Sequence, residues 1–222
     1  LLTPQQKQFW DCLNPVDYIA GLKYTLAGLA KLPDGLVDES LKAEWKECED
    51  AVPALPVVDG RILPAYEYGQ GRNLENPELY AIFPFRLYGL GLPDIEVARK
   101  TYQHRVFDSP TCWAQDAVQT AMMGDAEEAR RHLMKKVNAV DEEIRFPSFW
   151  RPGSDYTPDL DNGGVLALAM QYMVLNCIDG KEMILPALPQ GWSVDFKLRT
   201  PECRSVRVIS EGGEIVKKEY LD

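Results

Sequence analysis

The 222 residues predict a mainly α-helical fold closed by a small antiparallel β-sheet. Three observations carry that expectation. Apolar residues recur at spacings of three and four along seven stretches of the first 180 residues. Short turns rich in Gly, Pro and Asp join those stretches, the arrangement of antiparallel neighbours. Past Gly180 the period falls to two, as on a half-buried strand.

The elements follow in order. Residues 15–31 read as a helix through Ile19, Leu22, Leu26 and Leu29, with Asn14 and Pro15 as the start signal. Pro33 to Gly35 ends it, and a second helix is expected over 38–51. Residues 53–76 hold Pro53, Pro56, Pro64, Gly60, Gly69 and Gly71 and read as one long connection, of the kind that often carries function. Helical pattern returns at 78–88, 94–104, 112–123 and 125–138. A second irregular stretch, RFPSFWRPGSDYTPDLDNGG, precedes an uncharged apolar helix over 165–177. Lys181–Leu185, VDFKLRT, RSVRVIS and EIVKKEYL then read as strands, with Gly212-Gly213 as a turn. Residues 1–180 are thus expected to form the helical part, and 181–222 a small β-sheet appendage. Without a fixed-period repeat, the helices fit a bundle or toroid better than a solenoid.

Composition narrows function. Hydrophobic residues make up 45% of the chain and charged residues 26%, the balance of a folded globular protein. The net charge of -10 repels phosphate backbones and anionic lipid, so neither nucleic acid nor membrane is expected as a partner. The chain opens on Leu1 without a signal sequence, which reads as a processed product or an excised piece. The five cysteines form no C-x-x-C pair, and the two histidines, His104 and His132, stand far apart. A zinc site is not expected, nor any other metal. His104 reads as a helix-end residue, and His132, within EEARRHLMKK, as solvated. No Ser or Cys motif accompanies either histidine as in a triad. No phosphate-cradling glycine motif occurs, and no cofactor is expected.

Four motifs occur in a fixed order: LYAIFP (79–84), TCWAQDAVQTAMMGD (111–125), DNGG leading into a helix that ends QYMVLN (161–176), and ILPALPQGW (184–192). Together they resemble the C-terminal half of family-95 glycoside hydrolases over about residues 45–210. The resemblance implies an incomplete (α/α)6 toroid of antiparallel helix pairs followed by the β-sheet domain. It also implies inverting hydrolysis of a glycosidic bond in an oligo- or polysaccharide, a fucosidase-like activity in carbohydrate metabolism, and a secreted or periplasmic location. With Met173 set on the family's helix methionine, Asp161 falls on the aspartate that serves as general base, and Asn162-Gly163 stands where the family has Gly-Asn. Glu75 and Glu78 occupy positions where the family carries histidines, so substrate contacts differ. The family's general acid lies upstream of this segment, which makes the isolated stretch an expected inactive fragment. The implied partners are a carbohydrate, the missing N-terminal part of the same protein, and further copies of the chain. Self-association would use inner-helix faces left open at Leu166, Met170 and Val174.

Each candidate has a plainer alternative. Asp161 before a helix is as well suited to capping, which contributes about 1 kcal/mol; Asp159 is the reserve base. Glu75 and Glu78 suit a helix start through the dipole. Trp113, Gln115 and Asp116 are read as a sugar platform with hydrogen-bond partners, against ordinary packing and capping. Trp150 and Arg151 carry the same two readings, since flat aromatic faces stack on sugar rings. The competing functions are a non-catalytic carbohydrate-binding or scaffold piece and a sugar epimerase. The epimerase reading is poor, because such enzymes rely on histidines and only two are present.

Overall fold

The computed structural model describes residues 12–69, 75–108, 113–139, 160–201 and 204–221. Trp150, Arg151 and Asp159 lie outside them. Two compact units emerge: residues 1–89 with 93–107, and residues 90–92 with 108–222. Residue 180 lies within the second unit.

The first unit begins with β1 (Leu13–Pro15), which runs directly into α1 (Val16–Ala30). Pro15 sets the extended N-cap geometry, and the Val16 N–H is taken by the Pro64 carbonyl at 2.9 Å. α2 (Glu39–Ala51) packs against α1, and its sequence is polar enough that none of its residues is buried. The chain then forms a hairpin, β2 (Val57–Val58) and β3 (Arg61–Ile62). Asp59 and Gly60 both have positive φ at its tip, the geometry in which Asp-Gly turns match strand twist. β4 (Ala65–Glu67) returns to pair antiparallel with β1. A 3-10 turn (Pro77–Ala81) and α3 (Ile95–Gln103) complete the unit. Its core joins Val16, Ala20, Ile62 and Ala81 with Phe85, Leu87 and Val97 packed around them. Gly21 lets α1 come close: a Cβ there would sit 3.1 Å from Phe85 Cζ.

Thr101 ties α3 to β3. Its hydroxyl accepts the Ile62 N–H at 2.9 Å and donates to the Val97 carbonyl at 2.7 Å. Because β3 is so short, this side chain stands in for a missing strand partner. Thr101→Val should therefore strand a buried N–H and cost about 1–3 kcal/mol in urea unfolding. Thr101→Ser should restore most of that loss; an unchanged midpoint in the valine variant would remove the hydroxyl from the account.

The second unit contains α4 (Asp116–Met122), α5 (Ala126–Val137) and α6 (Asp161–Val174), and α4 packs on both of the others. Gly124, at φ 77°, makes the sharp turn between α4 and α5, and a Cβ there would crowd Leu90 Cδ2 at 3.1 Å. β5 (Leu175–Ile178) follows α6 without a loop and pairs with β6 (Lys181–Ile184). β7 (Val194–Arg199), β8 (Ser205–Glu211) and β9 (Glu214–Leu221) form a three-stranded antiparallel sheet. Leu175, Val206 and Val208 are its buried centre, with Phe196, Leu198 and Ile184 around them. β9 is an edge strand, and Ile215 and Val216 on it stay exposed.

The mainly α toroid expected from sequence is not what forms. Six helices of seven to fifteen residues share the described residues with nine strands in four small sheets. Two stretches account for most of the difference. Residues 57–67, read as a loop, carry three strands because Val57, Val58 and Ile62 are β-formers flanked by an Asp-Gly turn. Residues 78–88, read as a helix, make only a 3-10 turn. Pro77 starts it, while Pro84, which follows a cis peptide bond, cannot supply the N–H that a continuing helix needs. α6 also stops early, at Val174, because Asp179-Gly180 closes a hairpin that draws residues 175–178 into β5. Of the apolar residues expected to line an open inner face, Met170 is 50% exposed. Leu166 and Val174 are half-buried. No helix among the described residues is long and apolar enough to cross a membrane.

Candidate functional site

A cavity of about 430 Å³ opens in the first unit, within the range of small-molecule pockets. α1 contributes Asp17 and Tyr18, β3 contributes Arg61, and the segment into the 3-10 turn contributes Glu75, Asn76, Glu78 and Tyr80. Tyr68 and His104 line it from two further segments. The wall is pinned by Asn76, whose amide donates to the Phe107 carbonyl at 2.9 Å and accepts the Phe107 N–H at 3.0 Å. This paired clamp holds the loop before the 3-10 turn, so the turn presents its side chains in fixed positions.

Two of the sequence candidates, Glu75 and Glu78, meet here. Glu78 is only 6% exposed. Burial pushes its carboxyl up to about 7, against the opposing pull of its own backbone N–H and of the Arg61 charge. Glu75 sits at the rim and accepts a hydrogen bond from the Tyr80 hydroxyl at 3.1 Å. Burial and the charges of Glu75 and Asp17 push the Tyr80 hydroxyl up, so it remains a donor at neutral pH. His104 caps the C-terminal end of α3, with Nδ1 2.8 Å from the Lys100 carbonyl. The cavity therefore offers one buried carboxyl raised to about 7 and a second that accepts the Tyr80 hydroxyl. Desolvation of a carboxyl beside a cleft is how proteins keep a proton available at neutral pH.

The other described candidates lie in the second unit. Asp116 opens α4 and is buried, while Trp113 and Gln115 precede it. The indole Nε1 of Trp113 and the Oε1 of Gln115 are buried with no hydrogen-bond partner among the described residues. Asn162 is completely buried at the start of α6 and accepts a bond from Lys136 Nζ at 3.4 Å. Asp161 is exposed as the first residue of α6, with Leu160 at the N-cap and no side-chain capping bond from that residue. The question of cap or chemistry thus changes form, since Asp161 sits one position inside the helix.

His132 is not solvated, as its charged surroundings had implied; it is only 5% exposed. Its Nε2 lies 3.3 Å from Glu128 Oε1 and 2.9 Å from an Arg131 nitrogen, and its Nδ1 is 3.9 Å from Asp108 Oδ1. Lys136, one turn on, is 2% exposed. The signal for both was present in sequence: Ala129, His132, Leu133 and Lys136 fall on one helical face, and that face is the buried one. Asp108, Asp116 and His132 bring one ligand atom each within 4.8 Å of one another. Lys135 Nζ already stands 3.3 Å from Asp108 Oδ1 and an Arg131 nitrogen 3.5 Å from Asp108 Oδ2. Those cations occupy the carboxylate that a divalent metal would need.

No family model matches this sequence, and no curated protein matches it. A solved structure of a glycosidase aligns with a TM-score of 0.46 and 17% identity. The alignment covers 82% of this chain and 57% of that one, so the chain spans little more than half that protein's length.

Proposed function

We propose that this chain is part of a glycoside hydrolase that cleaves an oligo- or polysaccharide with inversion. The observation that carries the reading is the cavity of the first unit, where Glu78 is buried beside Glu75, Tyr80 and Arg61. Hydrolysis of a glycosidic bond needs a neutral carboxylic acid and a charged carboxylate in differing environments. The tyrosines of the wall give the apolar faces on which sugar rings stack. Separately from that cavity, Asp161 of the second unit is proposed as the water-activating carboxylate of the intact enzyme. Its assignment rests on the DNGG motif and on its exposure at the start of α6. A secreted or periplasmic setting belongs to the same proposal.

The test is to incubate the intact protein to which this chain belongs with a panel of oligosaccharides and aryl glycosides and follow the reducing end by proton NMR. The expected result is release of sugar whose first-formed anomer is inverted. Retention of configuration would sink the water-activating role of Asp161. A second reading, carbohydrate binding without turnover, draws on the same tyrosine-lined cavity. Sugar binding by calorimetry with no product by NMR would favour it.

A further inference from the structure

We propose that Glu78 is the proton donor of the first-unit cavity, giving its carboxyl hydrogen to the glycosidic oxygen of a sugar bound there. This inference rests on the hydrolase reading above and deepens it. It differs from the family resemblance, which places the acid upstream of this segment.

A neutral carboxyl has one O–H to give and further capacity to accept. Glu78 lines the cavity, is only 6% exposed and takes a hydrogen bond from its own backbone N–H. A sugar bound in the cavity would lie against this buried residue, within reach of a proton donor on the wall. Charged and titratable groups face Glu78 from three elements. The Arg61 charge of β3 favours its charged form, while Asp17 of α1 and Glu75 line the same cavity with negative charge. Tyr80 is spoken for as the donor to Glu75, and His104 of α3 lies at a helix end with Nδ1 on a backbone carbonyl. Burial is the largest influence on Glu78, and it holds the proton on the group until about pH 7. With Asp17 and Glu75 against Arg61, the cavity also disfavours sugars bearing carboxylate or sulfate and suits a neutral ring.

The step balances as follows. The Glu78 proton passes to the glycosidic oxygen as the anomeric C–O bond breaks. The bonding pair stays on that oxygen, which leaves as a neutral alcohol. Water supplies the new oxygen at the anomeric carbon and surrenders a proton to a carboxylate base. Solvent reprotonates the Glu78 carboxylate.

Leaving-group dependence tests the assignment. Alkyl glycosides leave poorly and need the proton; dinitrophenyl glycosides of the same sugar leave as stable phenolates and do not. Glu78→Gln should lower kcat/KM on the alkyl glycoside by about 10²–10⁴-fold and leave the dinitrophenyl glycoside within about tenfold. The wild-type protein supplies a second readout that needs no variant. Its kcat/KM on the alkyl glycoside should fall above about pH 7, and on the dinitrophenyl glycoside it should not. Equal losses on both substrates, or a flat wild-type profile on the alkyl glycoside, would overturn Glu78 as donor while leaving the hydrolase reading intact. The measurements use the intact protein to which this chain belongs, and its failure to cleave either substrate would overturn both.

Discussion

In the intact parent enzyme, Asp161→Asn is expected to lower turnover by about 10²–10⁴-fold while the melting temperature moves by a few degrees at most. The first half follows from the loss of general-base assistance to the attacking water. The second follows from the placement of Asp161. It is exposed at the first position of α6, and Leu160, not Asp161, is the N-cap. What the carboxylate gives the helix is mainly a favourable charge at its positive end, worth about 0.3–1 kcal/mol. Asparagine keeps the size and loses that charge. Steady-state kinetics and a thermal melt on the same preparation separate the roles. A variant that melts lower but keeps its turnover would leave Asp161 as a helix-start residue only. Asp159→Asn is the control, and loss of turnover in that variant instead would transfer the base to Asp159.

The second large effect is on stability against pH. The Glu78 carboxyl is raised from 4.5 to about 7 in the folded chain, so the native state holds its proton more tightly than the unfolded state does. The resulting stabilisation is fully present below about pH 4.5 and is lost as pH rises through about 7. A shift of that size corresponds to about 3 kcal/mol, an order-of-magnitude figure. Urea unfolding at intervals from pH 4.5 to 8.5 should show wild-type stability declining relative to Glu78→Gln, which has no proton to lose there. Parallel curves for the two proteins would mean that the buried carboxyl is better solvated than its surroundings indicate. Because the comparison is a difference, the general repulsion of a chain with net charge -10 cancels from it.

Helices with an uninterrupted 3.6-residue period were legible in the sequence. α1, α2, α3 and α5 lie where apolar spacing and their flanking prolines and aspartates put them. The sheet of β7, β8 and β9 was equally readable, because strict alternation and a Gly-Gly turn leave little else possible. Tertiary pairing was not readable. β1 and β4 are three residues each and exist because they meet across 50 residues of chain. Nothing local in LNP or AYE announces that. The site was legible in part. Glu75 and Glu78 were singled out for their place before LYAIFP, yet no pattern in ENPELY says that one would be buried and the other left at the rim. His132 and Lys136 were missed for a different reason. Their charge hid a core-facing period that Ala129 and Leu133 share with them.

The open edge at β9 has a consequence for how the protein keeps to itself. Its outer backbone groups have no strand beside them among the described residues, and Ile215 and Val216 show 47% and 56% of their surface. Such an edge is a template onto which a second chain can add a strand. Lys217 and Lys218 follow immediately in the same strand. An antiparallel copy laid against it in register at these residues would bring two pairs of ammonium groups together across a few ångströms of sheet, offset in part by the Lys217–Glu219 bridge at 2.9 Å. The adjacent lysines act as gatekeepers, so the same strand that closes the sheet also discourages its growth into a fibril.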